Sequence, residues 1–583
     1  MRIVARILPV TGNICLSGSH KVTFTRLAPL LARQRAYTQR FVLFATYSTG
    51  RRKSSSMASE SLKSSDGDVR EHGNRSSSQQ GREGTPYAAG AAAGARAANA
   101  FFPLGYREGF SQWWARLPAA AAEHKVLSYL PYLGHQVPTH LQTGNTSDLQ
   151  SADHQQQGEI STDSRNDPYG PRRWSSSMVE LSGKDRALNE FSVERVGEEA
   201  DQHLVMLHGY GAGLGFFYKN FEPLSRLKGW QLHALDMLGM GRSTRPPFKI
   251  KAKDREEAIR EAEAWFVDAL EEWRVKRKID RFTLLGHSLG GYMAVAYALK
   301  YPGHLNKLIL ASPVGIPEDP YAVTAEVTEP SESTLPSELT QDQREITASG
   351  ATPKTSDGSF ITGRNAEAQA SNQPPRRNMP KWFSYLWEAN VSPFSLVRWT
   401  GPFGPRLVSG WTSRRFSHLP AEEAKALHDY SYSIFSQRGS GEYALAYILA
   451  PGAFARSPLI RRIHTYLKNL HQMVYLPLLS LPQMSPPVSP TPRRENGLPI
   501  VFMYGDHDWM DVTGGHAAVA RLEEEQRRVL ADASPEERQK EQGSAKVVVI
   551  NRAGHHLYLD GWEDFNRVIL SEMEDVNKRE RAA

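Results

Sequence analysis

The sequence predicts an α/β fold, a mainly parallel sheet covered by helices and interrupted by a helical cap insertion. Three observations carry this expectation. Between residues 186 and 318, short apolar runs at 188–194, 203–207, 231–236, 282–286 and 307–311 alternate with helix-like segments. Such alternation gives parallel strands joined by crossover helices. The run Phe282-Thr283-Leu284-Leu285 leads into Gly286-His287-Ser288-Leu289-Gly290 and then into the apolar stretch 291–299, so a strand turns sharply around a serine into a helix. Two further apolar runs, 499–504 and 546–550, resume the sheet after an insertion covering 319–498.

Each element carries chemistry. Glycines at 286 and 290 let the backbone fold tightly around Ser288, so its hydroxyl is presented as a nucleophile. A serine hydroxyl needs a base to take its proton, and the base needs a carboxylate to fix its tautomer. The run 499–504 ends in Gly505-Asp506-His507-Asp508-Trp509-Met510-Asp511, and 546–550 is followed by Ala553-Gly554-His555-His556. Both sites lie just past strand ends, where such sheets collect their reactive groups. His555, directly after Gly554 at the turn, is the expected base. Asp508, the fourth residue of Gly-x-x-Asp, is taken as the acid over Asp506 and Asp511. Upstream, 204–207 runs into His208-Gly209-Tyr210-Gly211-Ala212-Gly213. The backbone amides of Tyr210 and Leu289 are the expected oxyanion donors. A phosphate-binding loop is excluded there, because no Lys-Ser/Thr follows and the glycine spacing does not fit a dinucleotide fingerprint.

The clearest helix spans 256–274 and sets Ile259, Ala262, Trp265, Phe266, Ala269, Leu270 and Trp273 on one face. Of the insertion, 320–378 is rich in Ser, Thr, Glu and Pro and is expected to be disordered. Residues 379–477 are aromatic and helix-like, and 483–498 form a Pro-rich exit. A polar insert at 523–545 is expected to extend a surface helix.

Residues 1–59 hold ten Lys/Arg and no acid, the composition of a mitochondrial presequence, with a basic disordered tail as the alternative. The whole chain has 70 basic and 63 acidic residues; without that segment 60 basic face 63 acidic. The basic balance therefore belongs to the leader, and nucleic acid is not an expected partner. The single cysteine, Cys15, lies there too, so no disulfide or thiolate metal site is expected beyond it. Residues 60–99 are rich in Ser, Gly and Ala and are expected to be disordered. No run of 18 apolar residues marks a spanning helix.

Residues 100–185 read as an aromatic helical segment followed by a polar linker at about 140–172. Phe110, Trp113, Trp114 and Leu117 share a helical face bordered by Arg107 and Arg116. That face either packs on the core or lies in a membrane interface. Residues 376–416 interleave Trp382, Phe383, Tyr385, Trp387, Phe394, Trp399, Phe403, Trp411 and Phe416 with basic residues. Arg398, Arg406, Arg414 and Arg415 are the candidate lipid-headgroup contacts, since aromatics seat at headgroup level and arginines pair with phosphates. Ordinary core packing of a cap is the alternative.

Six stretches together resemble one branch of the α/β-hydrolases, the branch of cardiolipin-specific deacylases, N-acyl-phosphatidylethanolamine lipases and lysophosphatidic acid acyltransferases. They are 208–213 with Phe216-Phe217, 236–243, 286–292, Ser392-Pro393-Phe394 with 401–405, 505–511 and 554–560. The resemblance covers about 186–318 and 380–583. It implies the α/β-hydrolase fold and a serine-dependent phospholipid deacylase, peripheral to a mitochondrial membrane, with cardiolipin as the expected substrate and no metal or cofactor. His555 and Asp560 match the branch's His-x4-Asp pattern, which is tied to acyl transfer. Read physically, Asp560 with Glu563 resembles the cap of the last helix. Two alternatives stay open: a lysophospholipid acyltransferase, and a non-catalytic adaptor on a lipid surface.

Overall fold

A computed structural model describes residues 103–134, 136–141, 158–318, 381–450, 454–463, 497–531 and 533–582 of the chain. Residues 1–59, expected to be a presequence, lie outside the described residues with Cys15, the 60–99 segment, the 320–378 insert and nearly all of the Pro-rich exit.

Helices α1 (Tyr106–Ala115) and α2 (Ala119–Leu127) come first. Strands β1 (Glu159–Ser161), β2 (Arg172–Glu180), β3 (Ala187–Arg195) and β4 (Gln202–Leu207) follow. Then come α3 (Tyr218–Leu224), β5 (Trp230–Leu235), α4 (Arg255–Arg277), β6 (Phe282–His287), α5 (Leu289–Lys300) and β7 (Leu305–Ala311). The insertion supplies α6 (Lys381–Glu388), α7 (Pro393–Trp399), α8 (Gly404–Arg415), α9 (Ala421–Phe435) and α10 (Leu445–Ile448). The chain closes with β8 (Pro499–Gly505), α11 (Val512–Ala531), α12 (Pro535–Lys540), β9 (Ser544–Ile550), α13 (Leu557–Asp560) and α14 (Trp562–Ala582).

The nine strands form one sheet in the order β1-β2-β3-β5-β4-β6-β7-β8-β9. From β5 to β9 all pairings are parallel; β1, β2 and β3 add an antiparallel edge. Register decides where the site sits. Leu207 pairs with Gly286, His287 with Ala311, Ala311 with Met503, and Gly505 with Ile550. The carboxyl ends of β4, β6, β7, β8 and β9 are thus level, and the residues after each one emerge on the same edge.

Separate cores cover the two faces. On one, Phe266, Leu270 and Trp273 of α4 pack with Tyr292, Met293 and Tyr297 of α5. Asp254 caps α4 by accepting from the Glu257 amide, and the expected apolar stripe is buried except at Trp265, which is half-buried. On the other face, α2, α3 and α14 pack with α9 of the cap.

One expectation needs correcting. The region read as a polar linker contains β1 and runs directly into β2, a nine-residue strand. Its serines hide a two-residue alternation in which Trp174 and Ser176 face inward. Arg172, fully buried at its start, is satisfied by Asp167 at 2.7 and 2.8 Å, Glu222 at 3.1 Å and Ser225 at 2.7 Å. A buried cation persists only when so paired. The second leading helix belongs to the core as well: Glu123 of α2 is fully buried and pairs with Arg242 at 2.5 Å. Among the described residues no helix is long and apolar enough to cross a membrane.

Candidate active site

Ser288 stands between β6 and α5 with φ 51° and ψ −114°, a left-handed backbone that an L-residue adopts only under constraint. A Cβ on Gly286 would come within 2.3 Å of the Gly290 carbonyl, so the elbow closes only around glycine. The Ser288 amide donates to Ala311 across the sheet at 3.0 Å. Leu289 is the first helical residue, so its N–H has no acceptor within the helix.

The glycine-rich loop after β4 packs directly on Ser288. A Cβ at Gly209 would lie 3.1 Å from the Ser288 Cβ and 2.8 Å from Nδ1 of His287. Any larger residue would push Tyr210 and its amide away. His208 fixes this loop. Its Nδ1–H donates to the Gly209 carbonyl at 2.8 Å, while Nε2 accepts from the Met237 amide at 3.1 Å. Burial lowers its pKa to about 4, so it stays neutral and keeps that tautomer. The Tyr210 ring stacks on Phe394 of α7 at 4.9 Å, and Phe394 on Phe435 of α9 at 4.4 Å. The cap thereby rests on the oxyanion loop.

The candidate acid and base come from the loops after β8 and β9. Nδ1 of His555 lies 3.2 Å from Oδ1 of Asp508. Asp506 accepts from the amides of Arg552 at 2.8 Å and Ala553 at 3.0 Å, bracing one loop against the other. Asp511 turns elsewhere and accepts from the Thr513 amide at 2.8 Å. Of the three candidate carboxylates, Asp508 is thus the one set against the imidazole. Nε2–H of His287 donates to the His555 carbonyl at 2.9 Å, and the two ring centroids are 4.9 Å apart. The residue preceding Ser288 therefore holds the base loop. Burial, then the neighbouring His555, drives the His287 pKa well below its ordinary value.

Two residues beside His555 carry no role in the sequence analysis. Trp509 packs its ring 4.8 Å from that of His555. Ser312, directly after β7, places Oγ 2.7 Å from His555 Nδ1 and donates to Oδ2 of Asp508. The signal for Ser312 was its place one residue past a strand end; nothing in its local pattern marks it.

The cap arginines divide. Arg398 is corrected as a headgroup contact. Its guanidinium is spent on Glu442 at 2.6 Å and on the carbonyls of Phe435 and Gln437. Arg415 is corrected likewise: it donates to both oxygens of Asp560 and, through Nε, to Nδ1 of His556 at 2.9 Å. Asp560 is not the cap of the last helix. It ends α13, pairs with Arg415 and accepts from the Gly554 amide at 3.2 Å, so it ties the cap to the turn that carries His555. Arg406 lies over the Tyr106 ring at 3.9 Å beside the exposed Phe403, on the surface. Arg414 is half-buried, with Nε enclosed.

Among the described residues no cluster of His, Cys, Asp or Glu could hold a metal ion. The arrangement brings together a serine with a left-handed backbone at a strand end, the start of a helix behind it, and an imidazole held by a carboxylate.

Comparison with known proteins gives the same outline. The family model described as the alpha/beta hydrolase fold matches residues 202–561. The chain is 29% identical over 413 residues to the 1-acylglycerol-3-phosphate O-acyltransferase of Arabidopsis thaliana, covering 69% of this chain and 72% of that one. A protein of Oryza sativa subsp. japonica, described as a probable 1-acylglycerol-3-phosphate O-acyltransferase, is 30% identical over 69% of this chain and 73% of its own. The human (lyso)-N-acylphosphatidylethanolamine lipase is 28% identical, over 64% of this chain and 80% of its own.

Proposed function

Since this chain belongs to the α/β-hydrolase family, in the branch of 1-acylglycerol-3-phosphate O-acyltransferases and (lyso)-N-acylphosphatidylethanolamine lipases, we propose that it is a serine-dependent phospholipid deacylase. Ser288 Oγ attacks an ester carbonyl while Nε2 of His555 takes its proton, and Asp508 steadies the imidazolium. The oxyanion settles on the amides of Tyr210 and Leu289. Collapse breaks the ester bond, the lysophospholipid leaves with the proton from His555, and an acyl-serine remains. Water, deprotonated by His555, then releases the fatty acid and restores Ser288. The observation that carries this reading is the Asp508–His555 pair beside a left-handed Ser288 on one sheet edge.

We assign cardiolipin as the substrate and the mitochondrial inner membrane as the place of action. The acid-free basic segment 1–59 supports the address, and the branch resemblance supports the lipid. An exposed aromatic surface supports peripheral attachment. Trp114 is 73% and Tyr106 68% exposed on α1; Trp399 is 70% and Phe403 55% exposed on the cap. The Tyr106 and Phe403 rings meet edge to face at 6.2 Å, so helix and cap share this surface. Arg107, Arg116 and Arg406 lie on or beside it, suiting an anionic bilayer. Helix α7 links it to the chemistry, with Trp399 outward and Phe394 stacked on Tyr210.

A second reading, acyl transfer to a lysophospholipid, draws on the names of the plant relatives and uses the same acyl-serine. One experiment separates them. Cardiolipin liposomes are incubated with the protein lacking residues 1–59, or with its Ser288→Ala form, with and without lysophosphatidic acid, and the lipids are weighed by mass spectrometry. Serine-dependent monolysocardiolipin and free fatty acid support the deacylase. Acyl chains moved onto lysophosphatidic acid without free acid support the transferase. Equal products from both forms overturn both.

A further inference from the structure

We infer that Ser312 is a positioning residue for the base: its hydroxyl stands between Asp508 and His555 and fixes the imidazole as the Nδ1–H tautomer. This rests on the reading of Ser288, His555 and Asp508 as the reacting set. A serine oxygen holds one proton, and a carboxylate can only accept. The contact between Ser312 Oγ and Asp508 Oδ2 therefore uses the serine's proton. A lone pair on Oγ is then what faces Nδ1 of His555 at 2.7 Å, so Nδ1 must carry the hydrogen. Nε2 is left unprotonated, as a base toward Ser288 requires.

The geometry gives the serine a larger share in this than the acid alone. Asp508 Oδ1 is 3.2 Å from Nδ1 and also accepts from the Met510 amide at 3.0 Å. The serine contact is shorter, and it uses the second carboxylate oxygen. Asp508 thus reaches the ring twice, directly through Oδ1 and through the Ser312 hydroxyl from Oδ2. Ser312 is itself held on both sides. It is fully buried, its amide donates to the Met503 carbonyl of β8 at 2.7 Å, and its φ is +47°. A left-handed backbone at a strand end turns the side chain back toward the β8 and β9 loops, and a non-glycine residue there is worth explaining. The residue sits between the nucleophile strand β6 and the acid strand β8, where a single hydroxyl can reach both partners.

The test uses Ser312→Gly and Ser312→Ala. Both lose the hydroxyl, while glycine tolerates the backbone and alanine is strained by it, so an effect common to both belongs to the hydroxyl. The rate at which a fluorophosphonate labels Ser288 is measured from pH 5 to 9, alongside thermal melts. The expected result is a labelling rate lowered about tenfold in both variants, with the governing pKa moved to lower pH because the imidazolium loses an acceptor. An unchanged rate, or a fall that follows the melting temperature with an unmoved pKa, overturns the assignment. A second readout stands apart from activity. In the 15N spectrum of histidine-labelled protein, His555 should be a single Nδ1–H tautomer that becomes mixed in Ser312→Gly; the same spectrum in both overturns the assignment. A wild-type chain inert to the probe would count against the deacylase reading, while the tautomer comparison still decides the role of Ser312.

Discussion

Three aspartates within six residues of the β8 loop have three different tasks, and substitution should separate them. Asp508→Asn leaves the shape but lets Nδ1 accept, favouring the wrong tautomer of His555. Turnover of a soluble ester should fall by about 10⁴-fold with little change in melting temperature. Asp506 accepts from two backbone amides across the loop and pairs with the neighbouring His507 ring at 2.7 Å. Asp506→Ala should cost about 1–3 kcal/mol of stability, since it strips the acceptor from the Ala553 amide, which is buried. Its effect on turnover should be much smaller. Ester turnover and chemical denaturation on both variants check this pair, and equal loss of turnover would sink the distinction. The sequence made Asp508 legible because its spacing from the strand end follows from backbone geometry. Ser312 was not legible, since its role depends on three loops meeting that are far apart in sequence.

Between elements, the cap is coupled to the chemistry through two contacts, the Tyr210–Phe394–Phe435 stack and the Arg415–Asp560 pair. The pair is mostly buried, at 9% and 13% side-chain exposure, so leaving either charge alone is costly. Arg415→Met and Asp560→Asn should each destabilise. In a double-mutant cycle read by urea unfolding, they should couple by about 1–3 kcal/mol. Strict additivity would mean that the cap is not tied to the base turn there. On the outer side, Trp114→Ala and Trp399→Ala should each weaken sedimentation with cardiolipin vesicles about tenfold, leaving soluble-ester turnover unchanged. Unaltered binding would remove this surface from the account. Strand, turn and helix around Ser288 were readable because hydrophobic period and glycine placement are local. Strand β2 was not, because Ser175, Ser176 and Ser177 mask its alternation. Arg398 and Arg415 read as surface cations because their carboxylates, Glu442 and Asp560, lie 44 and 145 residues away.

Across the whole molecule, buried neutral histidines contribute to acid sensitivity, beside carboxylates held low such as Asp167 and Glu190. Burial holds His208 and His428 at about 4 and drives His287 well below its ordinary value. In the unfolded chain each takes up a proton below about pH 6.5; in the native chain it does so only at lower pH. The unfolded state therefore binds more protons in that window. This contribution is complete above about pH 6.5 and falls as pH drops toward 4, by at most about 1.4 kcal/mol per unit for each histidine. Glu123 and Asp236, raised by burial, pull the other way. A difference measurement isolates one share. His428, joined to Thr412 at 2.8 Å and Gln112 at 3.0 Å, is replaced by glutamine. Denaturation from pH 7.5 to 5 should then show a flatter decline than the wild type. Parallel curves would contradict the assignment.

The central claim is that Ser288 carries an acyl group. It is tested most directly by mixing the protein with cardiolipin vesicles, quenching in acid within milliseconds to seconds, and weighing the peptide that contains residue 288. A fatty-acyl mass on Ser288 is expected that is absent from Ser288→Ala and accumulates in His555→Ala only at a greatly reduced rate. Lipid turnover with no acyl adduct on that peptide at any quench time, undiminished in Ser288→Ala, would contradict it.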